Sequence, residues 1–285
     1  MKDTPYAKKS LGQHWLHDDN ALEAMCHAAD INNEDAVLEI GPGLGTLTAK
    51  LVKSAREVVA VEFDELLARE LLYRVPEENL KVVQQDIMSF DLTSLPKNYK
   101  LVANIPYYLT SNLIRVISES ANPPIIAALL VQKEVAERVT AEPGSMSLLS
   151  VSAQFYWEVS SGLVVPSELF TPSPKVDSQV LVLRRRERLL FSDVDEKQFF
   201  RVVNAGFSNR RKTLHNSLAA SRLISERSDK QSDREASRNG AGKGKISSKQ
   251  GVLAILEAAE IDPKSRPQEL SMNQWYKLYQ AVNQA

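Results

Sequence analysis

The stretch AVLEIGPGLGTLTAKLVKSAREVVAVEFD, residues 36–64, decides the fold. It opens on a short apolar run, turns through glycines 41, 43 and 45, continues as TLTAKLVKSA with apolar residues at helical spacing, and closes on a second apolar run. Strand, glycine turn, helix and strand make the unit that lays two parallel strands side by side. Neither run alternates strictly with polar residues, so both strands are expected to be covered on both faces.

The same rhythm continues outward. LKVVQQD, KLVAN and PIIAALLVQ read as further strands, with ELLARELLYRV and TSNLIRVISES as the helices between them. The fold class is therefore α/β, a doubly wound, Rossmann-like domain. In such sheets ligands gather beyond the carboxyl ends of the strands, and the residues just after each strand carry the interest.

Beyond VQKEVAERVTAEPGSMS a short helical segment leads to prolines 166, 172 and 174, which predict an extended linker before the alternating strand VDSQVLVLRR. From residue 195 the pattern is helical and basic. The expected division is 1–190 for the α/β domain and 191–285 for a small basic helical domain. Within the latter, 221–250 holds seven serines, eight basic and four acidic residues and no aromatic, a composition expected to form an insertion without fixed structure.

The formal net charge of -1 conceals an asymmetry. Residues 1–180 carry 15 Lys and Arg against 24 Asp and Glu, whereas 181–285 carry 20 against 12. A basic C-terminal third suits a polyanionic partner. The longest apolar run, IIAALLV, is too short to span a bilayer, and MKDTPYAKKSLGQHW lacks the apolar core of a secretory signal. With Cys26 the lone cysteine, a cytosolic setting and a monomer without membrane attachment are expected.

Glycines 41, 43 and 45 allow a tight turn and close approach of a ligand to backbone. A dinucleotide needs G-x-G-x-x-G, and here the spacing is G-x-G-x-G. Glu39 beside this turn would repel a pyrophosphate and suit an ammonium or sulfonium group, which favours S-adenosylmethionine over a nicotinamide cofactor. Glu62, after VVAV, is placed to accept from both ribose hydroxyls, and Asp86, after VVQQ, from an adenine amino group. Taken singly, Glu62 reads as a solvated charge and Asp86 as a turn or helix cap. Together with Asn104 they end three successive strands. His14 and His17 have no accompanying ligand cluster, so no metal is expected.

In order along the chain, KSLGQHWL, EIGPGLGTLT, AVEFD, QQDIMSFD, ANIPYY, VQKEVAERV, FTPSPKVDS and FSNRRKTLHNSL resemble the ribosomal RNA adenine-N6 dimethyltransferases, most closely the bacterial small-subunit branch. The likeness covers nearly all of the chain except 221–250. It implies a class I S-adenosylmethionine-dependent methyltransferase domain that dimethylates two adjacent adenosines of 16S rRNA within the small ribosomal subunit. It also implies that His14, Leu16, Gly41, Glu62, Asp86 with the adjoining Ile87, and Asn104 line the cofactor site. Asn104, Ile105, Pro106 and Tyr107 match the family's N-[LI]-P-Y catalytic motif. Phe170 is expected over one face of the target base, and Arg210, Arg211 and Lys212 on RNA phosphates. The plainer readings are an apolar anchor and an exposed basic helix start.

Overall fold

The computed structural model describes residues 7–8, 11–209, 211–221 and 248–285. Contacts group 1–140 with 156–187 as one unit, and 141–155 with 188–285 as a second. The segment 141–155 thus goes with the second unit, although its sequence position lies within the first 190 residues.

The first unit is built on a seven-stranded sheet. In chain order its strands are β2 (Ala36–Ile40), β3 (Glu57–Glu62), β4 (Leu80–Gln84), β5 (Lys100–Asn104), β6 (Ile126–Gln132), β7 (Trp157–Val165) and β9 (Ser178–Arg185). They lie in the order β4-β3-β2-β5-β6-β9-β7. The five strands from β4 to β6 are mutually parallel; β9 runs antiparallel to both of its neighbours. Chain order reverses between β2 and β5, so a crevice opens where both strands end. The central strands β2, β5 and β6 are buried almost throughout, as expected of largely apolar runs that do not alternate with polar residues.

Helices α1 (Asp19–Ala28), α2 (Thr48–Ser54), α3 (Glu65–Arg74), α4 (Thr110–Glu119) and α5 (Lys133–Val139) connect these strands. Two starts have sequence-coded stops for fraying: Asp18 accepts from the Ala21 N–H at 2.8 Å and Asp64 from that of Leu66 at 3.1 Å. At the start of β5, Lys100 is only 4% exposed. Its ammonium donates to the Asp30 carbonyl and, at 2.8 Å, to Asp35 Oδ2. Burying an ammonium is costly unless it is paired and hydrogen-bonded in this way.

Two features depart from expectation. WEVSSGLVV, just ahead of the prolines that predict a linker and without a strand pattern of its own, is the edge strand β7, mostly exposed and paired with β9. The alternating segment of β9 is buried over residues 180–183, where it runs inside the sheet between β6 and β7 and α1 and α5 pack against it. A two-residue strand β1 (Trp15–Leu16) also pairs antiparallel with β8 (Phe170–Thr171).

The second unit contains α6 (Leu148–Tyr156) up to Phe155, α7 (Glu196–Phe207), α8 (Leu214–Ala220) and the helices Ser248–Ala258 and Met272–Gln284. Its core is aromatic: Phe155 stacks on Phe199 at 5.0 Å and meets Phe200 edge-on at 5.3 Å. Gly206 lets α7 lie against Trp275, since a Cβ there would stand 2.5 Å from the indole. Most of 221–250 lies outside the described residues. Among the described residues no helix is long and apolar enough to cross a membrane.

Candidate functional site

At the reversal between β2 and β5 lies a cavity of about 200 Å³. Its walls come from the ends of β2, β3, β4 and β5 and from the N-terminal segment 11–16. His14, Leu16, Glu39, Gly41, Gly43, Glu62, Asp86, Ile87, Asn104, Ile105, Pro106 and Tyr107, all singled out in the sequence, line it.

The glycine turn divides its labour. Gly41, at φ +65°, donates its N–H to Val61 O at 2.9 Å; a Cβ there would meet only Asn104 O at 4.0 Å, so this turn faces open space. Gly43, at φ +56°, lies beneath Trp15: a Cβ would come 2.5 Å from the indole. Gly45 is not on the cavity wall, which corrects its expected role at the cofactor. Its missing Cβ makes room for α3, where Leu71 Cδ1 would stand 2.7 Å away.

Two of the three carboxyl groups on this wall are buried, those of Glu39 and Glu62. Glu62 Oε2 accepts the Gly43 N–H at 3.1 Å and Oε1 accepts that of Asp64 at 2.9 Å, which fixes the plane of the carboxylate. Burial raises its pKa, the Asp64 charge adds to this, and the backbone donors oppose it. Glu39 is 1% exposed, and among the described residues its Oε2 has no hydrogen-bond partner. Burial pushes its pKa from 4.5 up to about 8, with the Glu62 charge raising it further and the Thr48 hydroxyl lowering it.

Glu39 therefore leaves a signature on stability. Between pH 4.5 and about 8 it is protonated in the fold and ionised in the unfolded chain, so the fold loses stability as pH rises through that window. The ligand-free protein is expected to melt about 5 °C lower at pH 8.5 than at pH 6, and Glu39→Gln to flatten that slope. Differential scanning fluorimetry across this range checks it; an unaltered slope in the variant would remove Glu39 as the cause.

Asn104 ends β5, and its Nδ2 donates to the His14 carbonyl at 3.3 Å. The donor half of the amide is thereby engaged, while among the described residues no donor meets Oδ1. The Pro106 carbonyl is taken by the Leu109 N–H at 3.0 Å; among the described residues that of Ile105 accepts no such bond. Tyr107 follows, its ring stacked on His14 with centroids 5.9 Å apart and its hydroxyl 2.8 Å from Ser178 Oγ. Tyr108 stands 63% exposed at the mouth. Asp86 is exposed at the end of β4, with Oδ1 capping the turn at 87–89 through the Met88 N–H at 2.9 Å.

Phe170 does not reach the cavity. It is 4% exposed, within the hydrophobic core with Leu16 and Val165, the position of an apolar anchor. β8 pairing pulls it inward, opposite Leu16. In the second unit, Arg211 and Lys212 are exposed between α7 and α8; Arg210 lies outside the described residues. Sequence reasoning missed Thr48 beside Glu39 and Ser178 on Tyr107. The latter carried no local signal, being 71 residues away.

The sequence model of the family described as ribosomal RNA adenine dimethylase matches residues 5–239. A ribosomal RNA small subunit methyltransferase A from Dehalococcoides mccartyi is 38% identical, over 95% of this chain and 87% of its own. One from Streptococcus thermophilus is 36% identical, over 98% and 92%. Among solved structures, a dimethyladenosine transferase from Plasmodium falciparum aligns with a TM-score of 0.79 at 28% identity, over 94% of this chain and 97% of that one. The 23S rRNA methyltransferase ErmE aligns with a TM-score of 0.71 at 25% identity, over 94% and 99%. The fold is that of class I methyltransferases.

Proposed function

The chain belongs to the ribosomal RNA adenine dimethylase family, and from that premise we propose that it dimethylates the N6 amino groups of two adjacent adenosines in a loop near the 3′ end of 16S rRNA. The substrate is the small ribosomal subunit or its assembly intermediate, the methyl donor is S-adenosylmethionine, and the setting is the cytoplasm, in ribosome biogenesis.

The cavity suits that donor on its own chemistry. Glu39, protonated while the cavity is empty, offers a buried, unpartnered carboxyl oxygen next to an open glycine turn; an ammonium or sulfonium arriving there favours its ionised form and meets a counter-charge. Glu62, held rigid by two backbone donors, keeps lone pairs for a ribose diol. S-adenosylmethionine supplies an electrophilic methyl group on a sulfonium. Gly41, Gly43, His14, Leu16, Asp86 and Ile87 complete the lining that would hold it.

The chain's own part in the chemistry follows from the N-I-P-Y turn. An exocyclic adenine amine is a poor nucleophile because its lone pair is delocalised into the ring, and the nitrogen turns positive as it attacks. Asn104 Oδ1 and the Ile105 carbonyl accept its two N–H bonds and stabilise that charge; the proton can leave to water once the nitrogen is cationic. Tyr107 gives the unstacked base a face, and a single-stranded loop yields such a base at least cost. Arg211 and Lys212, with Arg210, are phosphate contacts that position rather than specify.

The observation that carries this reading is the Asn104 amide. With Nδ2 engaged by the His14 carbonyl, its acceptor oxygen is the end left for an incoming amine. Primer extension on ribosomes from a deletion strain is expected to lose its block at paired adenosines near the 3′ end of 16S rRNA. Purified protein should restore that block on small subunits from the strain. A block that persists there, or one that disappears from 23S rRNA instead, would overturn the assignment.

A further inference from the structure

Tyr107 is held at more points than a surface tyrosine needs. Its hydroxyl lies 2.8 Å from Ser178 Oγ, and Ser178, the first residue of β9, is 0% exposed. Its ring stacks on His14 at an interplanar angle of 19°, and His14 Nδ1 is 2.6 Å from the Pro172 carbonyl. Both restraints are thus anchored in the segment from β8 to β9.

The two restraints act on different torsions. A phenol oxygen lies on the axis about which the ring turns, so the Ser178 bond fixes where the side chain points but not the plane of the ring. The imidazole supplies the plane. Without both, a tyrosine has freedom at its two χ angles.

We propose that Ser178 is a positioning residue for methyl transfer, acting through the Tyr107 hydroxyl to hold the ring that receives the target adenine. The inference rests on the reading of Tyr107 as the face for that base. Two further facts favour it over a plain structural role. Burial raises the Tyr107 pKa, so the phenol stays protonated and able to bond. Ser178 also has its place in the sheet through pairing with Gln132 and Val165, which a hydroxyl does not serve.

The test is a double-mutant cycle of Ser178→Ala and Tyr107→Phe, assayed on small subunits lacking the modification. Each single variant is expected to lower kcat about tenfold, below the 10² that a 1 Å misplacement costs, with the Kd for S-adenosylmethionine unchanged. The double variant should be no slower than the slower single, because both delete one bond. Ser178→Thr, which keeps the hydroxyl, should recover most of the rate. The second methyl transfer must re-seat the base, so the monomethyl share of product should rise in both singles. Wild-type kcat in either single variant, or additive losses in the double, would overturn the proposal. If Ser178→Ala does not fold, Tyr107→Phe alone must still show the loss in kcat, or the proposal falls. Failure of the wild-type protein to methylate the subunits would instead refute the proposed substrate.

Discussion

Asn104→Ala is expected to lose methyl transfer by about three orders of magnitude, the scale of removing one preorganised partner of a developing charge. Binding of S-adenosylmethionine should change by no more than about threefold, since the ribose, ammonium and sulfonium contacts fall to other residues. The two effects separate because Asn104 sits at the end of β5 with its amide nitrogen already bonded to the His14 carbonyl, so its oxygen serves the acceptor. Asn104→Asp sharpens the test. It keeps an oxygen but faces the His14 carbonyl with a carboxylate and adds a third acid beside Glu39 and Glu62. Single-turnover transfer of tritiated methyl groups and calorimetric titration measure the two quantities. Transfer within about tenfold of the wild type in Asn104→Ala would remove the residue from the chemistry.

Glu62→Ala should weaken S-adenosylmethionine binding about 300-fold, the worth of two hydrogen bonds to a charged group at roughly 1.5–2 kcal/mol each. The wild-type carboxylate is already oriented by Gly43 and Asp64, so the ligand spends little on ordering it. Alanine would also leave both of those N–H groups without an acceptor and slacken the glycine turn. Glu62→Gln separates the contributions: similar in size, it should retain part of the turn while losing charge and one acceptor. An intermediate Kd in the glutamine variant is expected. A Kd within about threefold of wild type in Glu62→Ala would refute the ribose assignment.

The five parallel strands were legible because each is a short, largely apolar run without strict alternation, and residues at or just after their ends then pointed to Glu39, Glu62, Asp86 and Asn104. Local pattern was less informative where pairing is distant. In WEVSSGLVV the exposed serines and Gly162 hide a strand whose hydrogen bonds come from β9. The same holds in the site. His14 meets Pro172 at a separation of 158 residues, and Trp15 meets Gly43 only because β1 pairs with β8. Gly45 and Phe170 lie off the cavity wall for a related reason: a glycine or an aromatic next to a functional motif serves equally well to let a neighbouring element pack.

The buried Lys100 has a consequence for the other end of its strand. Side chains alternate along β5, so a slip of one residue in register would carry Asn104 to the opposite face of the sheet. Hydrophobic burial alone discriminates weakly against such a slip, because LVA is apolar at every position. An ammonium that finds its acceptors only at Asp30 and Asp35 does discriminate, since any shifted alignment strands a charge in the interior. The ion pair thus sets the reading frame in which the Asn104 amide arrives at the cavity.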